Sequence, residues 1–148
     1  TIEKVEESDF CNRANGTVWY IVEIYKNNQL ICERNFSIYD KYSYMYIKPM
    51  NYFVSYGDNV ELNATVYDFG GNVVDVSGEE YSFTWKKKRG YCNIDLKGTE
   101  PSYTIKDINE INLSDDGNVK YEVSLYKNDE YVNSAYFYVY DKSKYIYL

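Results

Sequence analysis

The chain contains one stretch twice, and that duplication constrains its fold more than any other feature. Val18 to Lys41 reads VWYIVEIYKNNQLICERNFSIYDK, and Val119 to Lys142 reads VKYEVSLYKNDEYVNSAYFYVYDK. The two align without a gap at an offset of 101 residues, with 10 of 24 positions identical. Most other positions of core parity carry conservative exchanges, such as Ile24 for Leu125 and Ile38 for Val139. Tyr44-Met45-Tyr46-Ile47 answers Tyr145-Ile146-Tyr147-Leu148 at the same offset, and Thr1–Phe10 resembles Thr104–Leu113. A period of that size is the length of one small β-sandwich domain, so the sequence predicts a tandem array.

Each copy reads as a β-hairpin. Val18, Tyr20, Val22 and Ile24 alternate with Trp19, Ile21 and Glu23, the period-2 pattern of a strand. Asn27-Asn28 and Asn128-Asp129 follow as turn formers that tolerate left-handed backbone, and a second alternating run returns from each. Between the copies, Tyr44–Ile47 is a short strand broken at Lys48-Pro49, where proline suits an edge strand or a switch between sheets. Val60, Leu62, Ala64 and Val66 alternate with Glu61, Asn63 and Thr65, a strand with a clear inside. Strands are also expected at Tyr81–Lys87, carrying Trp85, and at Ser102–Ile105. The basic run Lys86–Arg89 reads as a solvated turn. No segment reads as a helix of more than a turn or so.

The order GDNVELNATV, FTWKKK, YTIKDI and LSDDGNVKYEVSLY resembles the immunoglobulin-like β-sandwich family. Gly57, Val60, Leu62 and Ala64 match its second strand, with Ala64 where the family has cysteine. Trp85 matches its central tryptophan, and Asp115-Asp116-Gly117 its Asp-x-Gly turn. Tyr121, Val123 and Leu125 match its Tyr-x-Cys-x-Val strand, as do Tyr20, Val22 and Ile24 in the first copy. The resemblance implies an all-β chain of immunoglobulin-like repeats, one complete domain plus the C-terminal half of a preceding one. Residues 1–40 would be the last three strands of one repeat, residues 42–142 a complete domain, and residues 143–148 the first strand of a following repeat. Its core would hold Trp85, Tyr121, Val123, Ala64 and Leu62. The architecture carries no function of its own.

Composition removes several function classes. The 148 residues include 20 Tyr and no His, which takes away the commonest general base and neutral metal ligand. Net charge is −7, so nucleic acid and anionic membrane surfaces have no electrostatic appeal. No apolar run reaches the length of a membrane span. There is no GxSxG and no glycine-rich phosphate loop, and Asp115-Asp116 lacks the spacing of a calcium loop. Asp68 and Asp75 could form an acid–base pair, but among 23 acidic residues such proximity is expected by chance. Cys11, Cys32 and Cys92 have no zinc spacing; some could pair in an oxidising compartment, or all three could stay reduced. No metal, cofactor or catalytic residue is expected.

Four N-glycosylation sequons begin at Asn15, Asn35, Asn63 and Asn112, where composition alone gives about two. Parity points Asn35 and Asn63 away from the core, and Asn15 and Asn112 fall in turns, so N-linked glycans are expected on a secreted chain. Parity also leaves Tyr136, Tyr138 and Tyr140 as an outward row, a contact surface or a platform for sugars. Trp19 and Ile21 stand where the second copy has Lys120 and Glu122. That apolar pair predicts cover by a neighbouring domain or chain, with Lys120 and Glu122 exposed. The function these features suggest is a non-enzymatic structural protein, extracellular or at the cell surface. Its repeats would join head to tail, with one another or with further copies, into a rod, filament or fibril. The alternative is the stalk or binding module of a cell-adhesion protein recognising carbohydrate or protein.

Overall fold

The structure, a computed structural model, describes residues 16–89, 92–109, 113 and 117–144. Among these there is no helix, and the chain runs through eleven strands. The first two, β1 (Thr17–Lys26) and β2 (Gln29–Tyr39), form a two-stranded antiparallel hairpin. Their turn residues Asn27 and Asn28 take φ of 51° and 63°, the left-handed values that a two-residue hairpin turn requires.

The remaining strands build two packed layers, the all-β architecture expected. One layer is a five-stranded sheet in the order β4 (Met50–Val54), β11 (Glu130–Asp141), β10 (Asn118–Lys127), β7 (Tyr81–Arg89) and β8 (Cys92–Leu96). The facing strands are β3 (Met45–Ile47) on β6 (Val66–Asp68) and β5 (Val60–Asn63) on β9 (Ser102–Ile105), both antiparallel. β5 and β6 are parts of one extended run, in which Leu62, Ala64 and Val66 are buried while Glu61, Asn63 and Thr65 are exposed.

Proline sets the crossing between layers. β3 belongs to the facing layer, and two residues later β4 runs parallel to β11 at the edge of the other sheet. Lys48-Pro49 makes that switch, because proline cannot donate to a ladder and so ends one pairing before the next begins.

The core lies between the layers. Leu62, Val66, Phe83, Trp85, Val123, Leu125, Phe137 and Val139 are all buried to within about a hundredth of their surface. Tyr121 and Ala64 join the same cluster. The Trp85 ring meets Phe137 edge-on at 5.7 Å, and its Nε1–H donates to the Glu100 carbonyl at 3.0 Å, so its one polar atom is satisfied. Burial pushes the Tyr121 phenol well above its ordinary pKa.

The basic run Lys86–Arg89 corrects its sequence reading. It lies within β7 instead of a turn, laddered between β10 and β8, and those neighbouring strands bring carboxylates to alternate lysines. Lys86 pairs with Asp95 on β8, and Lys88 pairs with Glu122 on β10. The strand β8 itself had no sequence forecast.

The last strand ends on a capped turn. Asp141 N–H donates to the Gly117 carbonyl at 2.7 Å, while Ser143 donates to Asp141 Oδ1 through Oγ at 2.7 Å and N–H at 2.9 Å. Those Ser143 bonds, hydroxyl first, hold the Asp141 carboxyl below the usual carboxylate range. A depressed native pKa contributes stability above the unfolded carboxylate value of about 4, lost as pH falls through the native one. Between about pH 6 and pH 3, the melting temperature of the native chain should therefore drop more steeply than that of Asp141→Asn. Parallel curves would show that the charge adds nothing to the turn.

Candidate functional site

The duplicated hairpins are the same object in detail. In β1–β2, Val18 pairs with Ile38 and Tyr20 with Phe36; in β10–β11, Val119 pairs with Val139 and Tyr121 with Phe137. Both ladders slip at one place, between Ile24 and Tyr25 and between Leu125 and Tyr126. The slip is a β-bulge that leaves one extra residue on the returning strand, Ile31 in the first hairpin and Val132 in the second. Asn128 and Asp129 repeat the φ values of Asn27 and Asn28, at 50° and 63°. Each hairpin is closed at its open end by the same bond, Asp40 N–H to Gly16 O at 2.6 Å and Asp141 N–H to Gly117 O at 2.7 Å.

What differs is the surroundings. Tyr121, Val123, Leu125, Val132 and Phe137 are buried by the facing layer. Their counterparts Val22, Ile24, Ile31 and Phe36 are 49%, 52%, 59% and 55% exposed, and Tyr20 is half-buried. Beyond Val18 and Ile38 at its open end, which are buried and half-buried, a face that forms a sandwich core in one copy is uncovered by the described residues in the other. The one polar interruption is Arg34, standing where Ala135 is buried. Of the expected first repeat, Thr1–Phe10 lies outside the described residues, as does Tyr145–Leu148 of the expected following repeat.

The opposite face of the first hairpin is bare too. Trp19 is 74% exposed and Ile21 61%. The expected cover by a neighbouring domain does not come from the described part of this chain. Nor are Lys120 and Glu122 fully exposed, as parity suggested; both are half-buried. Glu122 is tied to Lys88, and Lys120 Nζ sits 3.5 Å from the centre of the Tyr136 ring, because β7 and β11 flank β10 on both sides.

The aromatic row occupies this same outer surface. Tyr136 is exposed, and Tyr138 and Tyr140 are half-buried. Tyr138 and Tyr140 lie 6.1 Å apart at 18° between planes, and Phe53 of β4 lies 5.3 Å from Tyr140 at 19°. Rings that close cannot lie edge to edge in one plane, so part of each ring's face is turned toward its neighbour, and Lys120 already lies against the face of Tyr136. A platform for sugars needs open ring faces, so this row fits that use poorly.

Asn35 is exposed mid-strand on β2 and Asn63 is exposed at the end of β5; Asn15 and Asn112 lie outside the described residues. Cys32 is half-buried and Cys92 exposed, both free thiols, and Cys11 lies outside the described residues. Among the described residues no cluster of metal-ligating side chains occurs, and no helix is long and apolar enough to cross a membrane. Asp68 and Asp75 each hold a local turn, Asp68 accepting from Asn72 and Asp75 from Ser77. Those bonds keep both carboxyls below the usual carboxylate range, the opposite of the raised value a general acid needs. A hollow of about 440 Å³ includes Asp68, Lys127 and Glu130 in its wall, and Asp68 there is already committed to Asn72.

The hairpin also joins the sandwich through a built turn. Tyr42 N–H donates to Asp40 Oδ1 at 3.0 Å, Ser43 Oγ donates to Oδ2 at 2.9 Å, and the Ser43 and Tyr44 N–H groups donate to the Asp40 carbonyl. Tyr44 then meets Tyr39 of the hairpin edge-on at 4.9 Å and Phe69 of the sandwich at 6.2 Å. In the sequence the joint shows as a short connection from Tyr39-Asp40 to the strand near Tyr44 with neither Gly nor Pro between them, which predicts a fixed angle; its hydrogen bonds have no such signature. No known protein family matches the chain, and no curated protein matches it.

Proposed function

We propose that the chain is a segment of a non-enzymatic array of immunoglobulin-like β-sandwich repeats, extracellular or at the cell surface, in which successive repeats join head to tail into a rod or filament. The observation that carries this reading is the uncovered hairpin. It duplicates β10–β11 in register, bulge, turn and closing bond, yet among the described residues no facing layer covers it as one covers its twin. Each of the hairpin's large inner side chains, about half exposed, gives up roughly half of the 1.5–3 kcal/mol that full burial brings. The cover it fits is therefore the front half of a repeat, equivalent to Met45–Ile105. A second copy of these residues has no spare front half, because its own is already filled by β10–β11. The strand order also supports the immunoglobulin-like comparison. A first strand pairs with the second, crosses at a proline and joins the last strand in parallel, and a central strand carries the buried Trp85.

Hydrogen exchange of the β1–β2 amides tests the proposal. We expect rapid exchange in residues 1–148 alone. We expect slow exchange once a second copy of residues 42–103 is joined ahead of Thr1, the equivalent of Thr104, with Arg34→Ala to match Ala135. A non-associating 148-residue monomer whose β1–β2 amides are already as protected as those of β10–β11 would overturn the reading. So would equally rapid exchange in both proteins.

A further inference from the structure

The outer face of the first hairpin poses a separate question from the inner one. Directly opposed residues of an antiparallel ladder project from the same face. Ile21 pairs with Asn35, and Trp19 pairs with Ser37. Asn35 and Ser37 are the acceptor and hydroxyl positions of the sequon Asn35-Phe36-Ser37, so that sequon lies across the ladder from the apolar pair Trp19 and Ile21. The second hairpin solves the same place differently. Glu122 pairs with Tyr136 and Lys120 with Tyr138, and there Lys120 lies against the Tyr136 ring, with a second approach of 5.8 Å to Tyr138. Where the second copy covers its outer face with two tyrosines and a lysine, the first replaces both tyrosines by the two halves of a sequon. It also replaces the lysine by an indole.

We propose that Asn35 carries an N-linked glycan whose first sugar lies over Trp19 and Ile21 and closes the outer face of the hairpin. The inference rests on the extracellular part of the function proposed above. The donor is a polyprenyl-diphosphate-linked oligosaccharide. A bond forms between Asn35 Nδ2 and the anomeric carbon, the carbon–oxygen bond to the diphosphate breaks with its electron pair leaving on oxygen, and the amide loses one proton. No oxidation is involved. An N-acetylhexosamine fits the site, because its C–H face and acetamido methyl are apolar while its hydroxyls remain in water, which matches an indole lying beside a polar strand. The sequon at Asn63 lacks this environment, since Asn63 pairs with Ser102.

Two tryptophans make the proposal measurable. Trp85 is 1% exposed and Trp19 74%, so collisional quenching of tryptophan fluorescence reports on Trp19. Peptide mapping of the protein from its natural source should find Asn35 occupied. In the 148-residue chain secreted from a eukaryotic host, acrylamide quenching should be lower by roughly half than in Asn35→Gln, because a sugar covers one of the two indole faces. Ser37→Ala should quench like Asn35→Gln, Ser37→Thr like the native chain, and Asn63→Gln should change nothing. An unoccupied Asn35 in the natural material overturns the proposal. Occupancy with unchanged Trp19 quenching does the same, as does low quenching in Asn35→Gln, which would assign the cover to protein. None of these outcomes bears on the inner face, whose test is the amide exchange of β1–β2.

Discussion

Phe137→Ala should destabilise the sandwich by about 3–5 kcal/mol, while the equivalent Phe36→Ala should change the stability of the 148-residue chain by no more than about 0.5 kcal/mol. The two residues occupy the same place in the same hairpin, 101 residues apart. Phe137 has no exposed surface and packs against Trp85 and Tyr52, so removing its ring leaves a cavity in a close-packed core. Phe36 is 55% exposed, and truncating it removes little that is not already in water. Denaturant unfolding separates them, with buried Trp85 reporting on the sandwich and Trp19 on the hairpin. When a front half is joined ahead of the chain, the cost of Phe36→Ala should rise toward that of Phe137→Ala. Equal large losses in the 148-residue chain would mean that the first hairpin is already packed, and the head-to-tail reading would fail.

The second large effect is expected at the joint. Gly16 sits at φ +57°, a conformation that costs an ordinary residue roughly 1–2 kcal/mol. A Cβ there would also lie 2.8 Å from the Asp40 Cβ and 2.9 Å from the Ser43 Cβ. Gly16→Ala therefore strains the turn that holds the hairpin against the sandwich. Asp40→Ala loosens it by a different route, removing the acceptor for Tyr42 N–H and Ser43 Oγ at about 1 kcal/mol for each bond. Because the joint is short and hydrogen-bonded, the native chain should hold one angle between hairpin and sandwich, and both variants should broaden it. Small-angle scattering and amide relaxation measure this. A native chain that already samples a broad range of angles would remove the basis for a stiff rod.

Much of the fold was legible because its determinants are local. Strict alternation over Val60–Val66 sorted inside from outside correctly, and the Asn-rich turns sat where left-handed backbone was needed. Pro49 marked the change of sheet for the simple reason that it lacks a donor. The duplication made the two hairpins predictable as a pair.

The remainder depended on partners distant in sequence. Lys86–Arg89 looks like a solvated turn because four cations in a row repel; its ladders with β10 and β8, which also bring Glu122 and Asp95 beside Lys88 and Lys86, make it a strand. Lys120 and Glu122 looked exposed by parity, but parity fixes a face and not what flanks it. The candidate surface shows the same division most clearly. Sequence alone determines that Phe36 and Phe137 point the same way from the same hairpin. Only the tertiary structure decides that Phe137 is buried and Phe36 is not, because burial requires a second layer and that layer is built by residues outside the hairpin.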